Sequence, residues 1–381
     1  MIENKLINLN FYTNAYGNET VKILGDSANI SYSSLASCRL QQLPALEAAR
    51  SLGIKPEIWS LHSEFPEHLE EMHSARLCIV GKLLAPTLKL RSSMAMANLA
   101  ALTRLKSKKI PILAVYSDHH LIHREKQIRD LHQDLFNLVD GAVFPTKKLE
   151  SMAKSLISRN IKSYIIEDPC QIKNYIPYNK KNTNEKFEII WFGQSQNLKY
   201  LFEILPSIAQ QKYPGNGIRL TILSNDLNKT SSQFTDYIRQ KSTSNLTFRL
   251  INWNIDMQPT QFEDALKLAD IALIPSNPND PHKMGVSHNR LVDSIKSGCI
   301  PIASPMDSYR ELSKLCIITE NFPEAICRLI RDYKRISFKH SLYREALLAR
   351  FTPESNLDKW KKTILDISSV YRAKNSSNSA Y

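Results

Sequence analysis

From residue 39 to about 168 the chain alternates short apolar bursts with longer stretches whose apolar residues recur every three to four positions. Residues 39–53 (RLQQLPALEAARSLG) read as a helix ending at Gly53, followed by an extended PEIWSLH, the buried run RLCIVG, a helical stretch from Leu88 to Lys106 and the apolar IPILAVYSD. The amphipathic HREKQIRDLHQDLFNLVD, the short GAVFP, the helix KKLESMAKSLISRN and the strand SYIIED complete the series. Helices of roughly ten to eighteen residues interleaved with strands of about four to seven predict a parallel sheet covered on both faces.

The period then stops. Residues 171–186 (QIKNYIPYNKKNTNEK) are polar and basic, which places a linker at 173–186 between a first domain of residues 1–172 and a second of 187–345. The alternation resumes with FEIIWFG, KYLFEILPSIAQQ, IRLTILSN, a polar helix near 231–241, LTFRLINW, QFEDALKLAD and IALIPS. The expected fold class is α/β: two doubly wound Rossmann-like domains facing a central cleft at the carboxyl ends of their strands. Residues 346–381 hold a further amphipathic helix, FTPESNLDKWKKTILDISSVYR, and a Ser/Asn-rich tail, NSSNSAY, expected to be disordered.

Composition narrows the class. With 43% hydrophobic and 23% charged residues over 381 positions, the chain has the content of a soluble globular protein of two ordinary domains. No window approaches the roughly 18 uninterrupted apolar residues of a membrane span, and MIENKLINLNFYTN lacks the apolar core of a signal peptide, so a cytoplasmic protein is expected. Cys38, Cys78, Cys170, Cys299, Cys316 and Cys327 form no C-x-x-C pair, which suggests neither a disulfide scaffold nor a structural zinc site. The formal net charge of +13 implies attraction to polyanions. No RNP pattern, zinc-finger spacing or recognition helix accompanies it, so no specific nucleic-acid partner is expected. Only ten glycines occur, which suggests a backbone reason for each.

Residues 283–304 (KMGVSHNRLVDSIKSGCIPIAS) carry the most chemistry. Ser287 fits an N-cap, Gly298 the left-handed position after a helix, and Cys299 to Ala303 a buried strand. Leu291, Val292 and Ile295 form an apolar stripe, while Asn289 and Asp293 share another face. A helix N-terminus favours negative charge, and Lys283 and Arg290 lie beside this one. The fork of Arg290 suits phosphate oxygens, whereas the Asp293 carboxylate suits sugar hydroxyls. An ordinary charged surface helix fits the same pattern.

In its ordered elements the second half resembles the donor-binding half of GT-B glycosyltransferases. FEIIWFGQSQNLKYLFEIL is similar to the family's first strand, glycine turn and helix; INWNIDMQPTQFEDALKLADIALIPS to its later helix and strand; and the 283–304 segment to its acid-bearing helix and following strand. In the first half, SCRLQQLPALEAARSLG and LVDGAVFPTKKLESMAKSL are similar to acceptor-domain elements, and the helix with Trp360 to one that crosses back to the first domain. The commonest family motif has two glutamates eight positions apart. Here the second is Asp293 and the first falls on Gly285, which resembles a variant K-x-x-x-S-x-N-R-L branch built from Lys283, Ser287, Asn289 and Arg290. The resemblance implies that Asp293 holds the ribose of a nucleotide sugar, that Gly193, Gln194 and Ser195 face its diphosphate or sugar, and that Lys283 and Arg290 neutralise the diphosphate without a metal. It places Trp253 to Ile255 where the base is read; a core aromatic is the other reading of Trp253.

In the first half, Tyr116 to His123 follow an apolar run and so sit at a strand's carboxyl end. Asp118 is the first candidate for a catalytic or sugar-contacting group: its carboxylate could deprotonate an acceptor hydroxyl, and His119 could do the same or hydrogen-bond the donor sugar. His119, His120 and His123 do not have metal-ligand spacing, and no metal or cofactor is expected. His62, His68 and His73 lie in a charged stretch that reads as surface, and Gly17 and Gly25 flank a possible acceptor-side loop. No Walker A, G-x-S-x-G or kinase motif occurs. The expected activity is transfer of a sugar from a nucleoside-diphosphate sugar to a hydroxyl of a glycan or lipid-linked precursor, with peripheral association at the inner face of an anionic membrane. A GT-B epimerase or hydrolase, or a non-catalytic binding protein of the same fold, are the alternatives.

Overall fold

The computed structural model describes residues 5–9, 21–24, 38–60, 75–81, 88–178, 185–225, 227, 232–253 and 260–377. The segment with Gly17, Gly25, the histidines His62, His68 and His73, Ile255 and the last four residues of the tail lie outside them. The chain divides into two compact units: residues 1–168, 285–287 and 353–381 form the first, and residues 169–284 and 288–352 the second.

In the first unit, β1 (Lys5–Leu9), β2 (Val21–Leu24), helix α1 (Leu43–Ser51), β3 (Lys55–Ser60), β4 (Leu77–Val80), α2 (Leu88–Ser107), β5 (Ile112–Val115), α3 (Lys126–Leu138), β6 (Gly141–Phe144), α4 (Lys147–Lys154) and β7 (Lys162–Ile165) follow in turn. A π-helical turn, Cys38–Gln42, leads into α1. The strands form one sheet in the order β2-β3-β1-β4-β5-β6-β7, parallel except where β2 runs against β3. Because β4, β5 and β6 are buried along their whole length, each of their positions is apolar or glycine. Alternate residues then feed two cores. Cys78, Val80, Ile112, Ala114 and Phe144 pack with Leu102, Leu135 and Phe136, while Leu77, Ile79, Leu113 and Val143 pack with Leu46.

The second unit runs β8 (Phe187–Gly193), α5 (Leu198–Gln210), β9 (Ile218–Ser224), α6 (Ser232–Lys241), β10 (Leu246–Asn252), α7 (Gln261–Lys267), β11 (Ile271–Ile274), α8 (Asn289–Lys296), β12 (Ile300–Ala303), β13 (Ile317–Ile318) and α9 (Phe322–Leu348). Its parallel sheet has the order β10-β9-β8-β11-β12-β13. Read from β8, the chain first builds outward on one side and then returns to build on the other. That reversal opens a crevice between the carboxyl ends of β8 and β11, where doubly wound sheets bind ligands. The 27-residue α9 starts at a reciprocal cap: Asn321 Oδ1 accepts the Glu324 amide at 3.3 Å, and Asn321 Nδ2 donates to the Glu324 carboxylate at 2.9 Å.

The last helix, α10 (Pro353–Ser377), belongs to the first unit. Trp360, Ile364 and Ile367 join Ala45 and Leu46 in its second core, with Trp360 only 1% exposed. Its helical conformation reaches through Ser377, so Asn375 to Ser377 of the expected disordered tail are helical.

One buried group ties this fold to pH. His340 of α9 packs edge-on against Tyr178, 6.1 Å between ring centres, and desolvation, helped by Lys339, lowers its pKa from 6.5 to about 4. The folded chain therefore binds this proton less readily than the unfolded chain. Stability is complete above about pH 6.5 and falls as the pH drops toward 4, by up to ~3 kcal/mol from this group. Urea unfolding across that range should show His340→Leu losing less stability with acid than the natural protein; parallel curves would contradict the assignment.

Candidate functional site

The site is built at the carboxyl ends of the second unit's strands. Register aligns Gly193 with Ser224 and Ser224 with Asn252, so β8, β9 and β10 end together. Asn225, just past β9, accepts the Ser195 amide through Oδ1 at 3.0 Å and holds the turn between β8 and α5. Gln194 and Ser195 form that turn and are half-buried. Gly193 needs no left-handed backbone; a Cβ there would lie 3.5 Å from the Trp191 ring and 3.8 Å from Arg290 Nη1. The glycine turn and Arg290, some hundred residues apart in sequence, are therefore neighbours.

Arg290 sits in the first turn of α8. Its guanidinium donates to the buried Tyr309 hydroxyl, whose pKa burial raises and Arg290 partly restrains. Nη1 is buried, and among the described residues no acceptor meets it. A buried N–H without an acceptor costs about 1–3 kcal/mol, so this position favours an anion.

Lys283 is half-buried, its ammonium 6.0 Å from the centre of the Tyr200 ring on α5. Tyr200 also donates its hydroxyl to Asp280 at 3.4 Å. Asp280 accepts the Lys283 amide at its carbonyl, 2.8 Å, and the His282 amide at its carboxylate, 3.0 Å. The turn that carries Lys283 is thus pinned to α5 through Tyr200 and Asp280. Tyr200 did not stand out in the sequence, because an aromatic within an apolar helical period reads as core.

Two expected roles change. The helix begins at Asn289 with His288 at the cap position, so Ser287 is not its N-cap. His288 already has helical φ and ψ, its carbonyl accepts the Val292 amide at 2.9 Å, and its ring is held at the Ser308 carbonyl, 2.7 Å away. Residues 285–287 group with the first unit, where Gly285 accepts the Thr146 hydroxyl at 3.0 Å and a Cβ on it would meet Leu149 at 2.8 Å. The glycine that stands in for the motif's first acid is therefore enforced by packing. Asn289 turns its side chain inward to accept the Arg290 amide at 2.7 Å.

Asp293 is the second change. It is 1% exposed, and its carboxylate accepts the Gln171 amide at 2.8 Å, Gln171 Nε2 at 2.9 Å and the Cys170 thiol at 3.3 Å. Burial, reinforced by this carboxylate, drives the Cys170 pKa up. Where the sequence suggested ribose hydroxyls as its partners, Asp293 instead fastens the 170–171 segment to α8. Trp253 also has a packing role: its indole stacks on Phe262 at 5.5 Å, and Phe262 meets Phe192 edge-on at 5.1 Å.

In the first unit, Asp118 lies exposed beyond β5, with its carboxylate 3.9 Å from His120 Nε2. His119 is 2% exposed, with Nδ1 3.1 Å from the Tyr116 hydroxyl, an inward position for a residue read as a candidate base. Among the described residues no group of three His, Cys, Asp or Glu side chains is arranged to hold a metal.

No family model matches the chain, and no curated protein matches it by sequence. Solved structures do. The chain superposes on HepE from Anabaena, solved with UDP-glucose, at a TM-score of 0.62 and 11% identity over 95% of this chain and 99% of that one. For WaaB, a lipopolysaccharide outer core galactosyltransferase in its apo form, the values are 0.57, 11%, 95% and 99%. For TarM they are 0.54, 12%, 79% and 57%, so the chain spans little more than half of TarM's length. The fold is GT-B: α/β, with two doubly wound Rossmann-like domains.

If Asp293 serves the chain as described, Asp293→Asn should destabilise the protein by roughly 1–3 kcal/mol in urea unfolding, because its amide would face the Gln171 donors. Gln171→Ala should cost about 1 kcal/mol, having lost one bond. Unchanged stability in Asp293→Asn would exclude the role.

Proposed function

We propose that the protein transfers a sugar from a nucleoside-diphosphate sugar to a hydroxyl of a glycan or lipid-linked saccharide. The observation that carries this reading is the buried Nη1 of Arg290, which meets no acceptor among the described residues, beside the Gly193 turn at the switch point of the second sheet. In such a transfer the diphosphate gains charge as the glycosidic bond breaks. The side chains of Arg290 and Lys283 meet that charge in place, with no reorganisation during reaction. Gln194 and Ser195 form the turn after β8 beside this cation, and Trp253, just past β10, supplies an edge for the base. The UDP-glucose complex of HepE and the galactosyl transfer in WaaB's name agree with a nucleotide-sugar donor and a glycan acceptor.

On the acceptor side we assign the general base to Asp118, the exposed carboxylate of the pair. Cytoplasmic placement and a net charge of +13 favour contact with an anionic inner membrane leaflet, where lipid-linked acceptors reside. No helix among the described residues is long and apolar enough to cross a membrane.

Calorimetry with a panel of nucleoside diphosphates tests the donor assignment. One of them should bind, and Arg290→Ala should weaken it about 30- to 100-fold, the loss of a charged hydrogen-bonded contact. Arg290→Lys should restore only part, since an ammonium lacks the fork. If no nucleotide binds, or Arg290→Ala binds as the natural protein does, the reading fails.

A further inference from the structure

We propose that the solvent face of α9 is the surface by which the protein docks on an anionic lipid bilayer. The inference rests on the membrane attraction proposed above and is independent of the transfer chemistry. Arg331, Arg335, Phe338 and Leu342 are spaced by four, three and four residues and so share one face of a straight helix, with Lys334 at its edge. Phe338 is 67% exposed and Leu342 63%, the two most exposed large apolar side chains among the described residues.

The opposite face of the same helix is occupied. Ile326, Leu329 and Tyr333 pack into the second unit's core, and Arg344 donates to the Ile176 carbonyl at 2.7 Å while stacking on Tyr178. Rotation of the helix to hide Phe338 and Leu342 would therefore break buried packing. The exposed pair is a fixed feature of the surface.

Its surroundings select the occupant. Three cations precede the apolar pair within about two turns; of these Arg335 is shared with Asp332 at 2.9 Å, and Glu345 is the acidic residue at the far end of the face. A convex ridge of apolar tips flanked by arginine and lysine suits a fluid interface: the tips enter the headgroup boundary while the cations reach lipid phosphates. A shaped protein partner would call for a groove or a larger apolar area. The basic side of the ridge also rejects a neutral surface as sole partner.

Flotation with vesicles of phosphatidylcholine, with and without phosphatidylglycerol, tests this directly. The natural protein should float only with the anionic vesicles and detach in high salt. Arg331→Glu with Lys334→Glu should reduce partitioning by ~25-fold or more, at roughly fivefold per cation removed. Phe338→Ser with Leu342→Ser should reduce it about tenfold without changing net charge. Arg239→Glu with Lys241→Glu, on α6 of the same unit, alters net charge equally and should have little effect. All these positions are exposed, and circular dichroism checks that the variants fold.

Failure of the natural protein to bind any vesicle would overturn the membrane reading itself. An equal loss in the α6 control would overturn the assignment to α9 and leave only diffuse charge attraction. Equal flotation with neutral vesicles would overturn the role of the cations. Concentration-dependent self-association abolished by Phe338→Ser, without vesicle binding, would assign the face to a second copy of the chain instead.

Discussion

A guanidinium held half inside a protein, with its Nη1 facing no acceptor among the described residues, is an unbalanced arrangement, and the second unit's switch point is built around it. Arg290 is fixed by Tyr309 on one side and by its place in the first turn of α8 on the other. Removing the charge would ease the local cost but leave the switch point without a cation. An anion of matching geometry resolves the imbalance. The sheet order β10-β9-β8-β11-β12-β13 matters because it opens the crevice at this spot, and the Gly193 turn because it keeps the approach to Nη1 free of a Cβ.

Around that centre, polar side chains are spent on holding backbone. Asp293 fastens residues 170 and 171, Asn225 the turn after β8, Asn289 the amide of Arg290, and Asp280 with Tyr200 the turn before Lys283. This division separates the groups proposed to meet a ligand, which are cations, from the groups that set the geometry, which are carboxylates and carboxamides. It also explains the tolerance of a glycine where related motifs carry an acid, since Leu149 fills the space a side chain at 285 would need.

The sheets were legible in sequence because fully buried parallel strands admit only apolar residues, and β4, β5, β6, β11 and β12 obey this in every position apart from Gly141 and Pro301. Gly298 was legible for a local reason: it follows α8 at φ +80°, and a Cβ there would strike the Pro177 carbonyl. What sequence hid was long-range. Nothing in the local pattern of Asp293 distinguishes a carboxylate that faces a ligand from one that binds the chain 122 positions earlier. Ser287 has the chemistry of a cap, yet the helix starts beyond His288, whose ring is anchored by a carbonyl twenty residues ahead. The length of α9 escaped the periodic reading because its exposed stripe breaks the amphipathic rule, although N-F-P-E at its start is a readable cap.

That same exposed stripe and the buried cation are proposed to serve different partners, a lipid surface and a diphosphate, and they sit on different elements of one unit. The assignment of Arg290 is the claim on which the catalytic reading stands. A crystal structure of the protein with UDP addresses it most directly: a phosphate oxygen should lie about 3 Å from Arg290 Nη1, beside the Gly193 turn and the start of α8. A diphosphate bound elsewhere, with Nη1 still lacking an acceptor, would contradict it.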